Sequence, residues 1–346
     1  MDSLQDKCVL VTGVTGYLGT FCALELARRG CRVRGSVRSL RQLDEFRKSI
    51  DPLLSNPGRV QLMCADLTRD DSWDELVRGC DGILHVASPF PDHLVEDRSA
   101  LIEAARGGTL RVLGKAVDQG VTRVVMTSSL VAMLEGRNAE TETLDESVWG
   151  LAGVATDAYT QSKILAEQAA WQYVNEGPGR GKVALTTLLP GLLLGPLLSR
   201  DFSTSVQVIL KLVRREFPGL PALGWNVVDV RDVACAHVDA LVNSSAEGKR
   251  LACPGEFLWL VDLAKIINTL PQFSDRPLAV RSVPGFLVRL LALFDPQLKL
   301  ASARLNRYEA VSDSAVVGTL GWSRRPVSTT IADTVASIFD LGLNKK

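Results

Sequence analysis

Three glycines, Gly13, Gly16 and Gly19, follow the apolar run KCVLVT at intervals of three and open a stretch of helical character. This spacing commits the start of the chain to a strand, a tight turn and a helix. Gly13 permits the turn, Gly16 lets backbone approach a pyrophosphate, and Gly19 permits close helix-to-strand packing. The helix start adds free N–H donors and the positive end of its dipole. Thr15, Tyr17 and Leu18 complete the loop that would wrap such a group.

The same unit repeats down the chain. Strand-like runs CRVRGSV, RVQLMCADL, DGILHVAS, TRVVMTSS and KVALTTLLP alternate with helix-like stretches at 17–29, 71–78, 97–119 and 157–175. The runs show little polar alternation, which implies burial on both faces and hence a parallel sheet covered by helices on each side. The expected fold class is α/β, a Rossmann doubly wound parallel sheet with a smaller C-terminal substrate-binding cap. Residues 1–190 form the dinucleotide-binding domain and 226–250 return to it. Residues 191–225 and 251–335 form the cap over the carboxyl ends of the strands, where ligands bind in such sheets. After Pro190 the rhythm breaks into Gly/Pro-rich loops, with helices at 203–216, 229–243 and 260–270.

Bulk properties narrow the partner. Lys plus Arg and Asp plus Glu both number 39, so the chain lacks the basic excess that favours nucleic acid or an anionic membrane. Seven cysteines form an odd set with no CxxC pair, and the three histidines lack metal-site spacing, so buried free thiols in a reducing compartment and no metal are expected. No signal peptide or membrane span is evident, and the expected location is the cytoplasm. The apolar stretch at 283–296 is too short to span and carries Arg289, which reads as a packed amphipathic helix. The partner expected is a small molecule.

The end of the second strand decides the cofactor. An NAD site needs a carboxylate there for the ribose hydroxyl, but Gly35 or Ser36 stands in its place, with Arg38 and Arg41 close behind. A guanidinium matches a 2′-phosphate in charge and bidentate geometry, so NADPH/NADP+ is expected. Asp66 and Leu67 suit the adenine edge, although Asp66 equally suits the cap of a short turn. Val86, Ala87, Ser88 and Pro89 end the fourth strand beside the pyrophosphate. His85, inside that strand, reads as a satisfied core histidine.

Tyr159 and Lys163 stand four residues apart, on one face of a helix. Hydride transfer to a carbonyl needs a proton donor at the oxygen. A phenol near pKa 10 is a feeble one near neutrality unless a neighbouring ammonium lowers it. Lys163 would supply that charge and hold the nicotinamide ribose. Ser129, ending the fifth strand after Thr127, would orient the carbonyl oxygen.

The segments TGVTGYLG, GSVR, HVASPF, VVMTSS, YTQSK and LLPGLLLGP resemble the extended short-chain dehydrogenases, in the branch of dihydroflavonol 4-reductase, cinnamoyl-CoA reductase and related aldehyde or ketone reductases. The resemblance covers about residues 5–245, with LGW at 320–322 echoing the family's end. It implies catalytic roles for Ser129, Tyr159 and Lys163, and a contact between Arg38 and the NADP phosphate. It also sets Pro190, Gly191, Leu192 and Leu193 near the nicotinamide. SSLVAML, with Leu134, stands where dihydroflavonol reductases carry SSAGTVN, and DAYTQSK replaces the NWYCYGK of the cinnamoyl-CoA type. Phe90, Leu130, Met133, Leu134 and Phe202 together with Leu192 and Leu193 point to an apolar or aromatic carbonyl substrate. A 3β-hydroxysteroid dehydrogenase-like oxidoreductase and a non-catalytic NADP(H)-binding sensor remain the alternatives. Relatives of this type are monomers or homodimers.

Overall fold

The computed structural model describes residues 4–345 except 40–42, 89–97, 138, 140, 141, 154, 155, 201, 292–301 and 303. Arg41, Pro89, Phe90 and the end of the 283–296 stretch therefore lie outside the described residues.

The first half alternates strand and helix: β1 Cys8–Thr12, α1 Tyr17–Arg28, β2 Arg32–Val37, α2 Leu43–Ile50, β3 Val60–Cys64, α3 Trp73–Val77, β4 Gly82–His85, α4 Arg98–Asp118 and β5 Arg123–Thr127. It continues through α5 Val131–Leu134, α6 Ala158–Asn175 and β6 Ala184–Pro190. A later strand, β9 at Arg250–Cys253, completes a parallel sheet of order β3-β2-β1-β4-β5-β6-β9.

Alternation along single strands explains why the sheet is covered twice. Val9 and Val11 of β1, with Leu84 of β4, Val125 of β5 and Leu188 of β6, pack into one core against α1 and α8 (Val230–Val242). Their neighbours Cys8, Leu10, Ile83, Val124, Met126 and Leu185 pack into the other, against α3, α4 and α6. Strands buried on both faces read as the near-continuous apolar runs seen in the sequence.

Beyond β6 the structure departs from loops. Leu192–Leu194 form β7, Gly224–Asp229 form β8 and Glu256–Trp259 form β10. These three make a second sheet of order β10-β8-β7, with β10 antiparallel to β8 and β8 parallel to β7. The remaining helices are α7 Thr204–Val213, α9 Leu260–Asn268, α10 Gly285–Leu291, α11 Ser314–Leu320 and α12 Val327–Asp340. Thr334 and Ser337 of α12 accept the backbone N–H groups of Gly195 and Leu197 at 2.8 and 2.9 Å, which pins the chain just past β7. Gly191 lies between β6 and β7, where a Cβ would fall 2.2 Å from the Asn226 carbonyl oxygen, so only glycine fits.

Among the described residues no helix is long and apolar enough to cross a membrane, and no group of three His, Cys, Asp or Glu side chains could hold a metal ion.

Candidate active site

The carboxyl ends of β1, β4, β5 and β6 meet on one edge of the sheet, and the glycine turn is fixed there by its neighbours. Gly13 adopts φ +63°, and a Cβ on it would approach the Ala87 Cβ to 2.9 Å. Its N–H donates to the Ser36 hydroxyl at 2.9 Å, and the Val14 N–H donates to the Ser36 carbonyl at 3.1 Å. Ser36, at the position where an NAD site would carry a carboxylate, thus holds the turn instead. Ala87 donates from its backbone to the Thr12 hydroxyl at 3.0 Å, joining the end of β4 to the end of β1.

Helix α1 starts at Gly16 with no side-chain cap and no acidic residue in its first turn. The closeness of Gly19 to the loop, where a Cβ would fall 2.3 Å from the Gly13 carbonyl oxygen, draws the helix end against the turn. An uncapped, undischarged helix start behind a glycine cradle has the donors and the field that a pyrophosphate requires. The residues present fit a dinucleotide.

Around this cradle the expected contacts divide. The exposed Arg38 follows β2 directly and lies near enough to Asp66 to draw its carboxyl down. Asp66 itself is occupied as a turn cap: its Oδ1 accepts the Thr68 N–H and the Thr68 hydroxyl, each at 2.7 Å. These hydrogen bonds are the chief reason its carboxyl is held below the usual range. The geometry therefore favours the capping role for the Asp66 side chain, with Leu67 packed against Gly108 of α4. Val86, Ala87 and Ser88 are half-buried at the end of β4. Thr127 ends β5 and pairs with His237 at 2.7 Å.

Ser129, Tyr159 and Lys163 come together. Helix α6 starts where the Asp157 side chain accepts the Thr160 N–H at 2.9 Å, which sets Tyr159 in the first turn and Lys163 one turn on. The Ser129 hydroxyl pairs with the Tyr159 phenol. The Lys163 ammonium lies 5.9 Å from the Tyr159 ring centroid, and Lys163 is 7% exposed. Leu130 donates to the Pro190 carbonyl at 3.1 Å, tying the serine loop to the end of β6.

The expected direction of the Tyr159 shift is reversed. Burial pushes the phenol above its ordinary value; the Ser129 hydrogen bond acts downward and Asp157 upward. Burial also pulls Lys163 down to about 8, against the pull of Glu167. The phenol is therefore held protonated at neutral pH beside a lysine still largely charged, which is the form a proton donor needs. His85 is satisfied by Thr12 at 2.9 Å and Thr109 at 3.4 Å and is pushed down to about 3 by burial and by Lys163. It is a neutral core residue.

The substrate-contact expectations fare differently. Leu130, Met133 and Leu134 are all at most 4% exposed and share a core cluster with Leu144, Leu189 and Ala252. They are therefore core residues and bear on the site only through packing. Phe202 is half-buried against the main core. Leu192 and Leu193 are half-buried in β7.

Sequence reasoning missed the group behind the site. The Glu167 carboxylate, fully buried, accepts from Ser128 and Thr187 at 2.7 Å, Arg250 at 2.9 Å and Trp171 at 3.3 Å. The available signal was its spacing, four residues beyond Lys163 on the same helix face.

The chain matches the NAD dependent epimerase/dehydratase family over residues 9–252. It is 35% identical to cinnamoyl-CoA reductase CAD2 of Medicago truncatula over 352 residues, covering 95% of each chain. The chain belongs to this family. It thus shares the extended short-chain dehydrogenase/reductase scaffold, and the expected Rossmann-type sheet and nicotinamide-dependent oxidoreductase class stand with that membership. Another family relative, tetraketide alpha-pyrone reductase 1 of Arabidopsis thaliana, is 28% identical over 351 residues and covers 99% of this chain and 98% of its own. In three dimensions the chain superposes on yeast methylglyoxal/isovaleraldehyde reductase Gre2, solved with NADPH, with a TM-score of 0.82. That likeness covers 98% of this chain and all of the other at 24% identity, and carries the fold alone.

Proposed function

We propose that this family member reduces an apolar or aromatic ketone or aldehyde to the alcohol with NADPH. The observation that carries the reading is the Ser129–Tyr159 pair beside the buried Lys163, built on the same sheet edge as the glycine cradle. Gly13 to Gly19 and the start of α1 would hold the pyrophosphate, and Arg38 the 2′-phosphate. Ala87 and Ser88 would flank the cofactor from β4, and Pro190 to Leu193 from β6 and β7. The bound dinucleotide supplies a hydride to the carbonyl carbon.

This chain's own residues manage the oxygen. The Ser129 hydroxyl donates to the carbonyl oxygen and holds it against the phenol. Tyr159, kept protonated by its buried setting, gives the oxygen its proton as charge develops there. Lys163 stabilises the phenolate left behind. The named activities of the relatives, reduction of a cinnamoyl-CoA, a tetraketide pyrone, and methylglyoxal or isovaleraldehyde, share carbonyl reduction and differ in what surrounds the carbon. The half-buried Leu192 and Leu193 of β7 favour an apolar or aromatic compound here. A single-turnover experiment with NADPH deuterated at C4 and a panel of aryl and alkyl carbonyls tests the reading. Deuterium at the new carbinol carbon supports it, and its absence with every compound, despite saturable NADPH binding, contradicts it.

A further inference from the structure

The residue directly before the serine, Ser128, does not face the pocket. It is 2% exposed, and its hydroxyl donates to Glu167 Oε2 at 2.7 Å. Glu167 Oε1 accepts from Thr187 of β6 at 2.7 Å and from Arg250 Nε of β9 at 2.9 Å. Arg250 stacks 3.7 Å above the Trp149 ring and donates to the Glu146 and Val148 carbonyls at 2.5 and 2.8 Å. That loop in turn holds α5, through the Gly150 N–H to the Ala132 carbonyl at 2.8 Å. One carboxylate therefore joins the end of β5, the next two strands and the helix carrying Tyr159 and Lys163.

A carboxylate with no exposure at all is costly unless every lone pair is used. Fold stability alone does not require it, because apolar residues of like volume fill such positions as well. Its position is informative. One turn beyond Lys163 on α6, it is the anion that acts on the buried ammonium.

We infer that Glu167 is a positioning residue for catalysis: through Ser128 it fixes the serine loop so that Ser129 meets Tyr159, and it sets a buried carboxylate one helical turn from Lys163. The inference rests on the catalytic reading of Ser129, Tyr159 and Lys163. The groups bearing on Lys163 are Tyr159 and Glu167 on its own helix and His85 from β4; Asp157 acts on Tyr159, and Arg250 reaches Glu167 from β9. His85 titrates at about 3 and stays neutral from pH 6 to 9.

The test is the pH profile of kcat for carbonyl reduction in the wild type, Glu167→Gln and the double variant Glu167→Gln/Arg250→Gln, which does not leave the Arg250 guanidinium without its carboxylate. Loss of the carboxylate is expected to lower kcat roughly tenfold at pH 8, the scale of one lost charged hydrogen bond, with the Kd for NADPH unchanged. The deficit is expected to shrink without vanishing as pH falls to 6, because acid restores the lysine charge while the serine loop stays without its carboxylate anchor. A deficit of the same size at every pH would reduce Glu167 to a structural strut and overturn the inference, as would a wild-type profile. Ser128→Ala removes only the hydroxyl that links carboxylate to serine loop, so it decides the matter even where the charge variants do not fold. A fall in its kcat is expected, and wild-type kcat overturns the inference. Tyr159→Phe separates the two claims: turnover retained there defeats the catalytic reading itself, whereas an inactive Tyr159→Phe beside a pH-flat Glu167→Gln defeats only the role of Glu167.

Discussion

The Lys163 ammonium lies 5.9 Å from the centre of the Tyr159 ring, one helical turn along α6, with Lys163 buried and Tyr159 half-buried. Burial holds that ammonium down to about 8, so it is present below that pH and lost above it. Reduction should therefore slow as pH rises through about 8, since the phenolate formed on proton donation then lacks its counter-charge. Lys163→Met should lower kcat about a hundredfold or more, in line with loss of acid–base assistance, and abolish that limb. An unchanged profile would remove Lys163 from the chemistry.

Arg38 is the residue we propose to set cofactor choice. Its side chain is exposed at the end of β2, near Asp66, while Ser36 holds the glycine turn. Arg38→Ala should weaken NADPH binding by about tenfold to a hundredfold, the worth of a charged hydrogen bond, and leave NADH binding unchanged. Equal weakening of both would mean that Arg38 does not read the phosphate. Fluorescence titration of the two dinucleotides distinguishes the cases.

The glycine turn should tolerate little. In Gly19→Ala the new methyl would sit 2.3 Å from the Gly13 carbonyl oxygen, and backbone cannot yield as a flexible side chain can. Overpacking of this kind costs about 1–3 kcal/mol. Both a lower Tm and weaker NADPH binding are expected, from thermal melts with and without cofactor. A variant that melts and binds like the wild type would show that the helix does not depend on this close approach.

The main sheet was legible because its strands are buried on both sides, so Val9 and Val11 alternate with Cys8 and Leu10 without a polar break. The second sheet was not. Its strands β7 and β10, like β9 at the edge of the main sheet, are three or four residues long and bounded by Pro190, Gly191, Gly195, Pro254 and Gly255, which read as loop punctuation when the partner strands cannot be seen. In the site, Tyr159 and Lys163 were visible through their helical spacing and Ser129 through its strand end. Glu167 has the same spacing but reads as a solvated helix face, because glutamate is so seldom fully buried. The upward shift of Tyr159 was invisible for the same reason: burial belongs to the fold, and its effect exceeds that of the neighbouring hydroxyl.

Two buried histidines make stability fall on acidification. His237, bonded to Thr127 and to the Val233 carbonyl at 2.7 and 2.8 Å, is pushed by burial to about 4. The unfolded chain takes up that proton near pH 6.5, and the native state resists until about 4. Stability is therefore full above 6.5 and declines as pH falls through this window. The loss attached to His237 is about 3 kcal/mol. Urea unfolding at pH 7 and pH 4.5 should show the decline, and His237→Gln should make it shallower. A variant with the wild-type slope would place the acid sensitivity elsewhere.

The central claim is carbonyl reduction through Tyr159, and loss of NADPH absorbance with aromatic aldehydes, diketones, flavanones and steroid ketones tests it most directly when wild type and Tyr159→Phe are run side by side. Turnover with at least one compound, reduced a hundredfold or more in a variant that binds NADPH normally, is the result expected. Turnover in Tyr159→Phe equal to the wild type, or none in the wild type with any of these carbonyls despite tight NADPH binding, would contradict it.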